Sequence, residues 1–455
     1  MFDTIINYIL DFPVYVMLPI VMFTVSLIIQ IPIKKAMKHA LTLGIGFIGI
    51  FMTLDHFVAK IAPVIEQVVE QTGSDLTVLD VGWPPLAATA WSFKIAPILM
   101  VIFIVINIIM LWLKLTNTFN IDIWNFWHFL FTGQLVYTMS QDMTLSIISS
   151  ITSMVIIIKL ADWSAEATEE FSGITGISIT TLSATAYYPI ALATDKLIEK
   201  IPKINRINGN PEHIQKRLGF FGEPMFIGLL LGIGLGIIAG YNLKEVADLA
   251  INIAAVVFIL PRMAGILGEG LMPISTGAKN YLLNKFPGME DARIGMDLAV
   301  LIGYPAVIVA GIILMPIALI LAILLPGIKF IPLADLPNMI GAVTLIVVAT
   351  RGNLFRAVVA FIPIIIGKLY IASAMSSTYT NLLDRAGIVI SQYKGNITSF
   401  LDGGNLFRIY WVYLFQGNIW AIGILPIVSF LIYITWKEYK KRNDNLDNTF
   451  SKLEY

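Results

Sequence analysis

Cysteine is absent from this chain of 455 residues. Its absence excludes a disulfide framework, a thiolate metal site and any cysteine-borne covalent intermediate. Histidine is nearly as scarce, with four residues at positions 39, 56, 128 and 213 and no H-x-x-x-H pair. No metal and no cofactor is therefore expected. Charge is scarce as well: 13% of residues are charged, against about a quarter in soluble domains. With 57% hydrophobic residues and a mean hydropathy of +0.81, the chain reads as an all-α polytopic membrane protein bathed in lipid. The formal net charge is zero, so the total says nothing about nucleic acid and the distribution of charge matters instead; no nucleic-acid partner is expected of this membrane protein. No basic n-region with a cleavage site opens the chain, so no removable signal peptide is expected.

The apolar runs are read as spans, and the bases orient them. Pro13 to Ile31 is the first span, and Lys34, Lys35 and Lys38 follow it. By the positive-inside rule that turn is cytoplasmic and the N-terminus lies outside. A second span, Leu41 to Phe57, carries Gly44, Gly46 and Gly49 on a face suited to close packing. Residues 60–93 read as a polar connection, and Ile95 to Leu113 as the cleanest span. Met143 to Ile158 is shorter than the ~20 residues a straight crossing needs. A break is expected before it, at Ser140-Gln-Asp142, and Asp162 beyond it reads as interfacial. Met225 to Gly240 and Val246 to Leu260 are further spans, the latter ended by Pro261.

Residues 195–217 hold six bases against three acids and form the main cytoplasmic loop, a docking surface for a soluble partner. Residues 437–455, with Lys437, Lys440, Lys441 and Arg442, form a cytoplasmic tail. Ends on opposite sides require an odd number of crossings, about eleven with one or two re-entrant hairpins. Gly173 to Pro189 is apolar yet rich in Ser and Thr, which suits such a hairpin with its tip at a solute site. A second polar-tipped element, near Gly265–Pro305, occupies the other half. Paired broken segments point to a transport site, although no residue-by-residue repeat accompanies them.

The stretch Asn120 to Gln134 sets an acid, aromatics, an imidazole and amides where spanning helices carry aliphatics. On a helix Trp124, Trp127, His128 and Phe131 share one face, and Gln134 ends the same stripe. Asp122 and Asn125 cap or flank the first turn. A stripe of this kind is costly at bilayer depth unless it faces a cavity or a partner. The rival reading is an interfacial Trp belt with a histidine that snorkels to water.

Together these segments resemble the galactitol-type membrane component, enzyme IIC, of the bacterial sugar phosphotransferase system, within the ascorbate–galactitol superfamily. The resemblance rests on Asp80-Val-Gly-Trp-Pro84, Ile121-Asp-Ile-Trp-Asn125 with Trp127-His128, Phe131-Thr-Gly133, Ile198-Glu-Lys-Ile-Pro202 and Asn205-Arg-Ile207. It continues through Phe221-Gly-Glu-Pro224, Ala239-Gly-Tyr241 and Arg351-Gly-Asn-Leu-Phe-Arg356. It implies a homodimer in the lipid membrane, with a dimerising scaffold domain, a mobile core domain and an elevator-type step. It also implies a polyol or sugar substrate phosphorylated by a separate cytoplasmic IIB protein, itself charged on cysteine through IIA. The missing cysteine fits that division of labour. The chain departs from the galactitol pattern at Thr181, Tyr304 and Thr350, where some relatives carry histidine.

A neutral polyol needs donors and acceptors along a groove and an aromatic platform for its C–H face. His128 and Gln134 supply donors, Trp83 or Trp127 the platform, and Thr181 lies on the Ser/Thr-rich hairpin. Asp297 and Glu223 are acceptors for hydroxyls, each with the rival reading of an acid at a helix start. Two other classes compete with this function. In a proton- or sodium-coupled secondary transporter, Asp297 or Glu223 would be the coupling carboxylate. A membrane scaffold explains the spans but not the polar stripes.

Overall fold

The computed structural model describes residues 14–72, 77–120, 122, 125–207, 209, 224–285, 292–332, 335–386 and 395–453. The first half runs α1 (Val14–Ile28), α2 (Ile33–Thr72), β1 (Val78–Asp80), α3 (Trp83–Trp91), α4 (Ala96–Trp112) and β2 (Thr118–Asn120). It continues through α5 (Phe126–Ser140), α6 (Met143–Ser172), β3 (Ile177–Ile179), α7 (Leu182–Thr185) and α8 (Tyr188–Glu199). The second half starts again with a helix pair, α9 (Pro224–Ile238) and α10 (Leu243–Lys285), followed by β4 (Arg293–Met296), α11 (Ala299–Ile302) and α12 (Pro305–Leu324). After α13 (Met339–Ala342) and α14 (Thr344–Ala349) come α15 (Leu354–Arg385), β5 (Asn396–Thr398), α16 (Leu406–Phe415), α17 (Ile419–Gly423) and α18 (Leu425–Leu453). Among the described residues α6, α12 and α15 are long and apolar enough to cross a membrane. The expectation of a helical membrane protein is met in the bulk of the chain. It needs one amendment, because five short strands form among the described residues where an all-α protein was expected.

The polar connection expected at residues 60–93 begins only after Thr72, since α2 is a single helix of 40 residues. Its polar side chains meet α10. Lys60 pairs with Asp248 at 2.7 Å and His56 Nε2 lies 2.6 Å from Asn252 Oδ1. For the same reason Pro261 does not end a span, and α10 runs for 43 residues. The two helices lie antiparallel and very close. A Cβ on Gly270 would stand 2.7 Å from Leu43 N, so only glycine permits that approach. The turns that open the two helix pairs match: Gln30 (φ 64°) and Gly240 (φ 72°) are both left-handed. Ile31 N and Tyr241 N each donate at 2.9 Å to the carbonyl five residues back.

The expected break at Ser140–Asp142 is present. Gln141 is left-handed (φ 57°), and Asp142 caps α6 by accepting from Thr144 N and Leu145 N. The span that follows is longer than expected, because α6 continues past Lys159 to Ser172 over 30 residues. Asp162 is not interfacial but buried. It accepts from Thr116 Oγ1 at 2.7 Å, Thr118 Oγ1 at 2.6 Å and Asn117 N at 3.2 Å, and so ties β2 to the helix. Of the expected loop 195–217, Asp195 to Glu199 still belong to α8, and a short 3-10 turn, Ile204–Arg206, follows. Position 208 and positions 210–223 lie outside the described residues.

The hairpin expected at Gly173–Pro189 is β3 with α7, leading into α8. Its counterpart is narrower than expected, β4 with α11 leading into α12, because Gly265 to Lys285 is helix. Both hairpins end in Tyr-Pro, at Tyr188-Pro189 and Tyr304-Pro305, and the proline opens the next helix where its missing N–H costs nothing. β4 lies between β2 and β3 in a parallel sheet, with Asn120 opposite Gly295 and Ile179 opposite Met296. The remaining two strands, β1 and β5, form a second parallel pair with Asp80 opposite Thr398.

Two buried acids brace that second pair. Asp80 accepts from Gly82 N, Phe400 N and, at 3.0 Å, Asp335 N. Asp335 accepts from Trp83 N at 3.0 Å, Leu401 N at 3.0 Å, Ser399 Oγ and Asn338 Nδ2. Asp335→Ala would leave those four donors without their acceptor, at a cost of about 3 kcal/mol or more. Thermal unfolding of the purified protein should show a clearly lowered midpoint for Asp335→Ala, and an unchanged midpoint would show that the brace is dispensable.

Candidate functional site

In a parallel sheet every strand ends on the same edge, and the turns into the following helices gather polar groups there. The edge of the β2–β4–β3 sheet follows this rule. Gly295 stands where β2 and β3 come closest, and a Cβ there would lie 2.8 Å from Thr180 Cγ2 and 2.9 Å from Asn120 Cα. Just past the strand ends sit Asp122 and Asn125, Thr181, and Asp297. Asn125 Nδ2 donates at 2.7 Å to Asp122 Oδ2 and at 2.7 Å to Asp297 Oδ2, which uses both of its hydrogens. The Thr181 hydroxyl lies 3.1 Å from the same nitrogen, donates to Asp297 Oδ2 at 3.2 Å and accepts from Leu298 N at 3.0 Å. Asp297 Oδ1 accepts from Ala299 N at 2.7 Å, the turn contact that opens α11. One carboxamide therefore bridges two carboxylates. The group is rich in acceptors, and Asn120 Nδ2 beside it is buried with no hydrogen-bond partner among the described residues.

The second sheet carries its own polar edge. Past β5, Asn405 caps α16 by accepting from Arg408 N at 3.0 Å. Arg408 is fully buried, donates through Nη1 to the Asp402 carbonyl and brings Nη2 within 2.8 Å of His128 Nδ1. Arginine can only donate, so Nδ1 of His128 accepts and the imidazole proton sits on Nε2. The Asp402 carboxylate lies 3.5 Å from both His128 and Arg408. Three buried atoms here make no hydrogen bond among the described residues: Asp402 Oδ1, Asn405 Nδ2 and Arg408 Nε. Buried groups of this kind are normally satisfied, and an unmade bond is costly. Nearby, Lys368 is also fully buried, donates to Leu401 O at 2.6 Å and lies 4.6 Å from the Tyr187 ring.

The first turn of α5 joins the two edges, because Asn125 and His128 are three residues apart and so share a face. Trp127 covers the junction. Its ring stacks on His128 with centroids 3.9 Å apart and on Trp83 at 6.0 Å, and the Arg408 guanidinium lies 5.5 Å above it. His128, Trp127, Trp83, Thr181 and Asp297 are thus brought to one region. Gln134 faces elsewhere, donating to Thr89 O at 2.9 Å and accepting from Thr89 Oγ1 at 3.3 Å, which fastens α3 to α5. Glu223 and Trp124 lie outside the described residues. Among the described residues no group of His, Cys, Asp and Glu stands close enough to hold a metal.

Sequence reasoning passed over Asp402, Asn405 and Arg408, yet a signal was there. Gly352-Asn-Leu-Phe-Arg356 recurs as Gly404-Asn-Leu-Phe-Arg408. In both copies the asparagine caps a helix by accepting from the arginine N–H, and the arginine side chain reaches an aspartate, Asp195 or Asp402.

The chain matches the EIIC-GAT family, described as PTS system sugar-specific permease component, over residues 8–392. The galactitol-specific EIIC component of the PTS system of Escherichia coli (strain K12) is 34% identical to it over 442 residues, covering 96% of this chain and 97% of that protein. A putative permease IIC component of the same strain is 35% identical over 401 residues, covering 88% of this chain and 91% of its own length.

Removing one member of a buried ionic group leaves the other uncompensated, a loss of about 3–5 kcal/mol. Arg408→Ala should therefore destabilise the protein strongly, and adding Asp402→Ala should restore a large part of the loss. Unfolding midpoints of the two single variants and the double variant check this, and simple additivity would show the two side chains to be uncoupled.

Proposed function

Because the chain belongs to the EIIC-GAT family of PTS sugar-specific permease components, it is a permease component of a phosphotransferase system, and we propose that its solute is a polyol, galactitol or a close relative. The observation that carries this reading is the set of unsatisfied buried groups around the first turn of α5: Asn120 Nδ2, Asp402 Oδ1, Asn405 Nδ2 and Arg408 Nε. Three of these are donors and one is an acceptor, and the Arg408 guanidinium lies over the Trp127 ring. Hydroxyls, which both donate and accept, are the ligand chemistry that pairs with such a set. The acceptor-rich Asp122–Asp297 pair, bridged by Asn125, extends the same set of groups. Within it His128, Thr181 and Asp297 bind hydroxyls, and Trp83 and Trp127 cover the C–H face. Gln134 contributes through the position of α5, since Thr89 takes its amide.

The phosphoryl donor is a separate IIB protein, because this chain has no cysteine to carry the group. In the transfer a solute hydroxyl oxygen bonds to phosphorus as the sulfur–phosphorus bond of IIB breaks. The sulfur leaves as thiolate, and the hydroxyl proton passes to the Asp297 carboxylate. A positioned base of this kind contributes about 10²–10⁴-fold in rate. The same reading has the N-terminus outside, the basic face at 195–207 and 437–442 in the cytoplasm, about eleven spans and a homodimer. The close packing of α2 on α10 supports a scaffold that the hairpin-bearing core slides against, an elevator step.

Purified protein given labelled polyol should form polyol phosphate only when phosphorylated IIB is supplied, and should carry no phosphoryl group itself at any time. Accumulation of unmodified polyol by vesicles lacking the phosphotransferase proteins would instead establish a cation-coupled symporter.

A further inference from the structure

The turn between α14 and α15 holds two consecutive left-handed residues, Arg351 (φ 54°) and Gly352 (φ 76°). Glycine is the usual occupant of the first such position after a helix, and an L side chain there is disfavoured. An arginine kept in that conformation calls for a reason, and its ion pairs do not give one. Asp195, fully buried, is already held by Arg356 at 2.6 Å, and Arg351 adds a contact at 3.1 Å. Its other partner, Glu199 at 2.7 Å, is 42% exposed, and pairs between exposed groups contribute little. The Arg351 side chain is itself 61% exposed.

Its place in the fold supplies the reason. Arg351 stands on the rim shared by two cavities of about 350 and 320 Å³. The first reaches inward to Phe171 and Tyr304, at the roots of the two hairpins whose tips carry Thr181 and Asp297. Glu169 braces those roots by accepting from Arg293 Nε and Gly176 N, both at 2.9 Å. Arg442 also lines the first cavity, while Arg206 and Arg356 line the second. Exposed Lys200 and Lys203 lie on the connection that follows α8. Bases outnumber acids on this face, and a planar guanidinium is the group best matched to phosphoryl oxygens.

We propose that Arg351 pairs with the phosphoryl group while the protein partner still carries it, on a docking face made by the end of α8, residues 200–207, the 350–353 turn and Arg442. The inference rests on the proposed function and adds where the partner engages. Arg351 is a recognition residue for the donor, set apart from the groups that bind the polyol.

The test compares Arg351→Gly and Arg351→Lys, using purified IIB phosphorylated on its cysteine as the probe. Glycine fits the left-handed position, so Arg351→Gly should fold, melt no lower than the parent and bind labelled polyol unchanged. Its KM for phosphorylated IIB should rise at least 10-fold, and the salt dependence of that KM should weaken. Arg351→Lys should recover part of the loss, as a point charge without the planar fork. An unchanged KM in Arg351→Gly, or a fall in melting temperature and polyol affinity that accounts for the whole loss, would overturn the inference. If the parent protein makes no polyol phosphate with this donor, the proposed function fails and takes the inference with it. If the parent does so and Arg351→Gly matches it, only the inference fails.

Discussion

A peptide group left unpaired inside a bilayer costs several kcal/mol, and that constraint governs where this chain can depart from a helix. Among the described residues every short strand is paired: β2, β4 and β3 with one another, β1 with β5. Pairing in parallel then sends every following turn to the same edge. The proposed solute site follows from this pairing. Asn125, Thr181 and Asp297 meet because their strands end together, and Asp402, Asn405 and Arg408 lie past the end of the other pair. The braces that hold the strands, Asp162 on β2 and the Asp80–Asp335 couple on β1 and β5, are buried carboxylates satisfied largely by backbone and hydroxyl donors. They fix the edges in place without using the groups of the proposed site.

Buried polar atoms in this protein differ in how fully they are satisfied. Asp162, Asp335 and Gln134 have their bonds made. Asp402 Oδ1, Asn405 Nδ2 and Arg408 Nε do not. Such atoms lower stability in the protein alone, and in the proposed site a hydroxylated ligand would match them.

Much of this was legible in the sequence because it rests on local rules. The Trp127–His128 stripe, the break at Gln141 and the Ser/Thr-rich hairpin at Gly173–Pro189 all follow from periodicity, capping and polarity. Span ends were misjudged wherever long-range pairing overrode local polarity. Lys60 and Asp248 satisfy each other across α2 and α10, so neither ends a helix. Asp162 looked interfacial because its partners, Thr116 and Thr118, are more than 40 positions away in the chain. The strands were invisible because three or four residues carry no alternation to read. The Arg408 cluster was within reach through the repeated Gly-Asn-Leu-Phe-Arg segment, whose second copy passes for an ordinary helix start.

The central claim is that the joined edges around α5 hold the solute before any phosphoryl donor arrives. Equilibrium binding of labelled galactitol and related polyols to the purified protein, with no partner present, addresses it directly. The account predicts saturable binding of at least one polyol, weakened 10-fold or more by Asn125→Ala and by Asp297→Asn in protein that remains folded. Saturable polyol binding that neither substitution alters would contradict it and place the solute elsewhere in the molecule.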